Sequence, residues 1–304
     1  MRVRKGLLWL IILALLLPAG QAFAANTEKE ITVNFVPMHF IIDGVEYAPP
    51  ADQPGFLYIT SDNKTHTYVP LRFVANILYK SVGWDGNAVK VTVGEPDPTI
   101  EADLAKQAVE QSVIEPVDKS KLQRTAITVN QANITYEFNG LTVEPSEETP
   151  GFIYKSRVYV PLRFMYNSLG YDNDHIKFDG STYTIEAVST DEQLAYKRIL
   201  KDYAAELQAI FEPVQSELTG IYLTNIRLVN SGKLTEDDKA ALFEEVDTLI
   251  REGKDTLMKK LDELSQELTA GEHGTNAVDH YLSYYENLEA QARNLLNNQL
   301  KPSE

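Results

Sequence analysis

Apolar and polar residues alternate with period two over residues 31–36 and again over residues 127–136, as in strands that bury one face. Asp43-Gly44 and Asn139-Gly140 follow, each between further β-type runs, and this dipeptide chemistry predicts tight hairpins. Strand character resumes at residues 56–60 and 152–154, then at Tyr68-Val69 and Tyr159-Val160. Pro70 and Pro161 fit the first position of a helix, where a missing N–H costs nothing. In those helices Leu71, Val74 and Leu78, matched by Leu162, Met165 and Leu169, form one apolar stripe. A last strand is predicted over residues 88–93 and 182–187.

After Ser189 the period changes from two to 3.6. Thr190-Asp-Glu starts a helix with Tyr196, Leu200, Tyr203, Leu207, Ile210, Val214, Leu218 and Ile221 on one side. Pro213 lies inside that run and should kink or divide it, and Ser231-Gly232 should end it. Thr235 caps a second helix carrying Phe243, Val246, Ile250, Leu257, Leu261, Leu264 and Leu268. At 1.5 Å per residue that helix would be about 50 Å long. Gly271 and Gly274 end it, and a third helix carries Val278, Tyr281, Tyr285, Leu288, Ala292 and Leu295. Three amphipathic helices with tight turns predict an antiparallel bundle or a coiled-coil hairpin.

The β-rich part is written twice. Tyr68, Val69, Pro70, Leu71, Arg72 and Phe73 recur letter for letter as Tyr159, Val160, Pro161, Leu162, Arg163 and Phe164. Residues 31–34 match 127–130, residues 54–58 match 150–154, and Trp84, Asp85 and Gly86 match Phe178, Asp179 and Gly180. The offsets stay between 91 and 96, and the length differences fall in the polar turns at 61–66 and 170–175. A repeated hexapeptide is either a repeated site or a repeated folding instruction. Val69 and Leu71 suit a core, Pro70 a helix start, and Phe73 packing, which favours the folding instruction. Arg72 and Arg163 oppose the helix macrodipole and call for a carboxylate or backbone carbonyls nearby. The competing role for them is capture of an anionic ligand.

The order strand, VPLRF, short helix, aromatic-Asp-Gly resembles the copper amine oxidase N-terminal-like domain, or stalk domain, and it occurs twice, over about residues 30–94 and 126–188. The resemblance implies a small antiparallel sheet around one helix, as a non-catalytic appendage common in secreted proteins of Gram-positive bacteria. The metal and the cofactor-forming tyrosine of true copper amine oxidases belong to a large separate domain that the resemblance does not include, so no cofactor is expected.

The first residues change the picture of where the chain works. Arg2, Arg4 and Lys5 precede an apolar run over residues 7–17, then Pro18, Gly20 and the small-residue site at Ala22 and Ala24. This is the layout of a signal peptide over residues 1–24. The run is short of the roughly 20 residues an uncleaved membrane anchor needs. Cleavage removes three positive charges and takes the formal net charge from −16 to −19. Such a surface repels nucleic acid and anionic membranes. Neutral glycans, basic proteins and divalent cations remain possible partners. With no cysteine in the chain, neither disulfides nor thiol catalysis can contribute.

Candidate chemistry is sparse. The histidines are His39, His66, His175, His273 and His280, and none belongs to a recognisable ligand set. Residues 172–175 faintly resemble a calcium loop, but Ile176 falls where an oxygen ligand is wanted. No GxSxG elbow, HExxH helix or glycine-rich phosphate loop occurs. Two surface readings remain. Tyr281, Tyr284 and Tyr285 form a candidate contact patch, on the premise that three such close tyrosines do not all point inward. Tyr47, Tyr58, Tyr154 and Tyr159 could serve as stacking platforms for a glycan.

The expected fold class is therefore α+β. Two stalk-type modules are joined by a linker over residues 95–125, and an all-α part follows over residues 189–304. The expected function is that of a secreted, non-enzymatic binding or spacer protein at a bacterial envelope, with a cell-wall glycan or an extracellular protein as partner and no membrane insertion after signal cleavage. The alternatives are a glycan-binding module and a hydrolase of envelope polymers.

Overall fold

Asp43, Gly44, Asn139 and Gly140 all take positive φ, at 50°, 81°, 49° and 80°, as a type I′ hairpin requires. They close two hairpins that the computed structural model places at matching positions of the two repeats. The structure describes residues 27–110, 113–171, 174–230 and 235–299. The expected signal sequence, the expected break at Ser231-Gly232 and the front of the 172–175 turn lie outside them.

The first repeat contributes β1 (Thr27–Phe35), β2 (His39–Ile42), β3 (Val45–Tyr47), β4 (Phe56–Ile59), β5 (Thr65–Pro70), helix α1 (Leu71–Ile77), β6 (Ser81–Asp85) and β7 (Lys90–Gly94). Helix α2 (Ile100–Gln107) and a single 3₁₀ turn (Lys119–Lys121) lie in the linker. The second repeat follows the same order with β8 (Arg124–Gln131), β9 (Thr135–Phe138), β10 (Leu141–Val143), β11 (Phe152–Tyr154), β12 (Arg157–Pro161), α3 (Leu162–Ser168), β13 (Ile176–Asp179) and β14 (Thr184–Ala187). The predicted strand over residues 127–136 is two strands, because residues 132–134 leave the ladder between β8 and β9. Pro70 and Pro161 are the caps rather than the first residues of their helices.

The sheets are not divided as the repeats are. Six strands close a barrel in the order β1-β4-β5-β12-β11-β8. Ile31 of β1 faces Ile127 of β8, and Val69 of β5 faces Val160 of β12. Both pairs join a residue to its own counterpart, so a pseudo-two-fold axis passes through both seams. Outside the barrel, β7 of the first repeat runs parallel to β9 of the second, and β14 of the second runs parallel to β2 of the first. The registers match: Val91 faces Tyr136 as Ile185 faces Phe40. Each four-stranded sheet, β10-β9-β7-β6 and β13-β14-β2-β3, thus holds two strands from each repeat.

Aromatic packing follows the same symmetry. Tyr68 stacks on Phe56 at 5.5 Å and on Phe152 of the other repeat at 5.2 Å, and Tyr159 stacks on Phe56 at 5.1 Å. These rings are fully buried with Ile31, Val33, Ile127 and Val129 in the barrel core. Stacked and edge-on aromatic pairs add about 0.5–1.5 kcal/mol each beyond their buried area. Under the sheets, Phe73 of α1 meets Phe40 edge-on at 5.0 Å and Phe164 of α3 meets Tyr136 at 5.4 Å.

The chain divides into two compact units, the second starting at Arg198. It consists of α4 (Asp191–Asn230, from Arg198), α5 (Glu236–Ala270) and α6 (Asn276–Gln299). Thr190 and Gln193 cap α4 reciprocally, and Thr235 with Asp238 forms a capping box on α5. Helix α4 runs through Pro213 undivided. Leu242, Val246, Ile250, Leu257, Leu261, Leu264 and Leu268 are the buried stripe of α5, with Leu242 in the place expected for half-buried Phe243. Asp247 pairs with Arg293, and Lys254 with Glu286, so α5 and α6 run antiparallel. No helix among the described residues is long and apolar enough to cross a membrane.

The tyrosine patch is a correction. Tyr281 and Tyr285 are fully buried, and Tyr284 is half-buried with its ring edge-on to Phe211 at 5.1 Å. Its hydroxyl accepts a bond from Gln215 Nε2 at 3.1 Å. Spacings of three and four put all three rings on one helix face, which here is the inward face. Tyr285 donates to the Ile250 carbonyl at 2.7 Å and fits above Gly253, where a Cβ would come within 2.3 Å of its hydroxyl. Burial, with Glu289 adding to it, pushes its phenol up to about 12.

Candidate functional site

The hexapeptide residues that sequence reasoning singled out are mostly interior. Tyr68, Val69, Leu71, Phe73, Tyr159, Val160 and Leu162 are buried and Phe164 is half-buried, whereas Arg72 and Arg163 are exposed. Arg72 Nη2 reaches the Val82 carbonyl at 3.5 Å, a long contact with a backbone acceptor within its own repeat. The Asp85 and Asp179 carboxylates accept backbone N–H bonds from Asn87 at 2.9 Å and Ser181 at 2.7 Å. The aromatic-Asp-Gly motif is thus an Asx turn that sends the chain from β6 into β7 and from β13 into β14. Trp84 is half-buried and Phe178 is exposed.

The proposed stacking platforms fare differently from their expectation. Tyr58 and Tyr159 lie in the barrel core, and Tyr154 is half-buried against Phe35 and Phe56. Alternation along the strands turns these rings inward, because β4, β11 and β12 belong to a closed barrel with an apolar interior. Tyr47 is half-exposed on β3.

One concave surface of the β-rich unit is an open groove of about 430 Å³. Its floor and walls come from Pro37, Met38 and His39 entering β2, Glu46 on β3, the proline-rich stretch of residues 48–55, and Val109 with Glu110 after α2. Val109 donates its N–H to the Glu46 carbonyl at 3.0 Å, and Ala48 donates to the Gln107 carbonyl at 3.2 Å. The linker therefore forms one wall by lying beside β3. Within the groove, His39 Nδ1 is 3.1 Å from Glu46 Oε1. The Glu46 side chain is only 3% exposed, whereas His39 is open to the groove at 28%. A buried carboxylate oriented on a partly exposed imidazole can hold that ring in one tautomer and one orientation. Sequence reasoning weighed His39 only as a metal ligand, and the seven-residue separation of its partner across a hairpin was the available signal. Among the described residues, no three His, Asp or Glu side chains are grouped to hold a metal ion.

A second polar cluster looks like chemistry but works as a clamp. Ser189 donates its backbone N–H to Asp43 Oδ1 at 2.7 Å and its hydroxyl to Oδ2 at 2.9 Å. Lys197 Nζ lies 3.0 Å from the same carboxylate and 2.6 Å from Ser189 Oγ. A serine beside a lysine suggests a nucleophile and base. Here Lys197 Nζ donates to both Asp43 Oδ2 and Ser189 Oγ, so it is not placed to accept the serine proton, and Ser189 is buried. Burial alone would raise the Asp43 carboxyl, but the Ser189 N–H, Lys197 and the Ser189 hydroxyl outweigh it and hold it below its ordinary value. At the position matching Ser189, Glu95 accepts from Tyr196 at 2.8 Å and pairs with Lys80 at 3.6 Å. Residues 189–197, which end the β-rich unit, are thus tied to the ends of both of its peripheral sheets.

Comparisons with protein-family models, with curated proteins and with solved structures returned no match to this chain.

Proposed function

We propose that this chain is a non-catalytic binding or spacer protein that works outside the cell at a bacterial envelope, and that its repeats are stalk-type domains of the copper amine oxidase N-terminal-like kind. The observation that carries the reading is the use made of the repeated hexapeptide. Its tyrosines, valines and leucines fill the barrel and seat the helices, in the way a folding instruction would and a repeated reactive site would not. The clamp of Asp43, Ser189 and Lys197 supports it, since polar groups that could do chemistry are engaged in fastening one element to another. Export is supported by the amino-terminal charge and apolar pattern, and the strongly acidic balance suits a partner that is neutral or cationic.

The test is co-sedimentation of residues 25–304 with purified bacterial cell walls, across a salt series and with or without calcium. Saturable binding with no release of soluble sugar fragments is expected. Failure to sediment under every condition would remove the envelope from the proposal, and fragment release would replace a spacer with a hydrolase.

A further inference from the structure

The two repeats differ at one edge, and the difference points to a partner. In the first repeat, strand β3 closes its sheet, and the chain itself covers its outer side. Ala108 bridges Tyr47 in antiparallel fashion, Val109 donates to the Glu46 carbonyl, and the Gln107 carbonyl accepts from Ala48. In the second repeat, β10 holds the same place at the end of β10-β9-β7-β6. Counting along the 96-residue offset, Thr142 and Glu144 match Glu46 and Ala48. Strand alternation turns the Thr142 carbonyl and the Glu144 N–H away from β9, and among the described residues nothing runs alongside β10 on that side. Leu141 on this edge is 70% exposed, and Thr142 is exposed where its counterpart Glu46 is buried.

We infer that the β10 edge is a docking site for an extended, basic peptide segment of another protein, which adds a strand as residues 107–109 do on β3. The backbone geometry for this is built, because the same chain already makes the same addition one repeat earlier. The sign of the partner follows from what adjoins the edge. Glu144, Glu147 and Glu148 are exposed on the stretch that leaves β10, whereas the matching stretch after β3 carries only Asp52 among its prolines and alanines. An added strand gains backbone hydrogen bonds from the edge and charge complementarity from lysine or arginine on its flanks. This surface lies outside the groove and is independent of envelope binding, so either reading can fail alone.

The probe is a blocked peptide, Lys-Lys-Gln-Ala-Val-Lys-Lys, titrated into the full chain by fluorescence anisotropy, with hydrogen exchange followed at the Glu144 amide. Saturable binding with a dissociation constant below about 1 mM is expected, together with slowed exchange at Glu144. Glu144→Pro removes the outward N–H without touching the pairing of Val143 to β9, so it should leave the melting temperature in place and weaken binding by about tenfold or more. Reversing Glu147 and Glu148 to lysine should weaken it and flatten its salt dependence. No saturable binding up to about 1 mM, or binding indifferent to Glu144→Pro, overturns the proposal. So does a concentration-dependent dimer of the chain that Glu144→Pro dissolves, since the occupant would then be a second copy.

Discussion

Val69 lies opposite Val160, its own counterpart in the second copy of the hexapeptide, as Ile31 lies opposite Ile127. Contacts between equivalent residues are what a two-fold dimer interface makes, here within one chain. Because β7 and β14 also cross into the other repeat's sheet, neither repeat has a core of its own. Phe56→Ala should therefore destabilise both repeats together, by about 3–5 kcal/mol. Urea unfolding followed by hydrogen exchange checks this. Loss of protection in β11 and β12 along with β4 and β5 is expected, and retained protection in the second repeat would contradict the shared barrel.

The repeat was legible in the sequence and the exchange of strands was not. Alternation over residues 88–93 states which side chains face inward, but the pattern is the same whichever sheet the strand joins. The hairpins were legible because Asp43-Gly44 and Asn139-Gly140 encode positive φ locally. The groove was not, since it depends on Val109 finding β3 across some sixty residues of chain. Tyr281, Tyr284 and Tyr285 carried the right signal in their spacing, which one helix face explains without any exposed patch.

Gly151 explains an approach that no other residue allows. A Cβ there would lie 1.7 Å from the Tyr136 hydroxyl. That hydroxyl is buried without a hydrogen bond, and burial raises its pKa well above the usual phenol range. Gly151→Ala should cost about 1–3 kcal/mol by overpacking. Tyr136→Phe, which removes the clashing oxygen, should be near neutral alone and recover much of that loss when combined. Denaturant midpoints of the two single variants and the double variant give the coupling directly.

Asp43 gives the fold an acid-side dependence. Its folded pKa lies below the ordinary carboxylate value of about 3.9. Its contribution is therefore fully present above that value and is lost as pH falls through the lower folded one. Asp43→Asn keeps the hairpin, since Asn139 serves in the matching turn, and removes the charge that holds Ser189 and Lys197. It should lower stability at pH 7 by about 1–2 kcal/mol and flatten the decline below about pH 4. Melting temperatures from pH 2.5 to 7 check both parts, and an unchanged acid slope would remove the clamp from the account.

Pro213 sits in an unbroken helix, where it leaves the Ala209 carbonyl without its intrahelical N–H. The residue is exposed, while its neighbour Val214 packs inward beside Gly253. Pro213→Ala therefore restores a hydrogen bond without adding bulk to the core. Proline in a helix interior is about 3 kcal/mol worse than alanine, though a helix already bent to hold it recovers less than the full difference. A gain of about 1–2 kcal/mol in unfolding free energy is expected for the helical unit. Thermal unfolding followed by the buried tyrosines near Gly253 reads it out. A loss instead of a gain would mean that the backbone geometry Pro213 imposes is what brings Phe211 onto Tyr284 and Tyr285, and that the proline is kept for that packing.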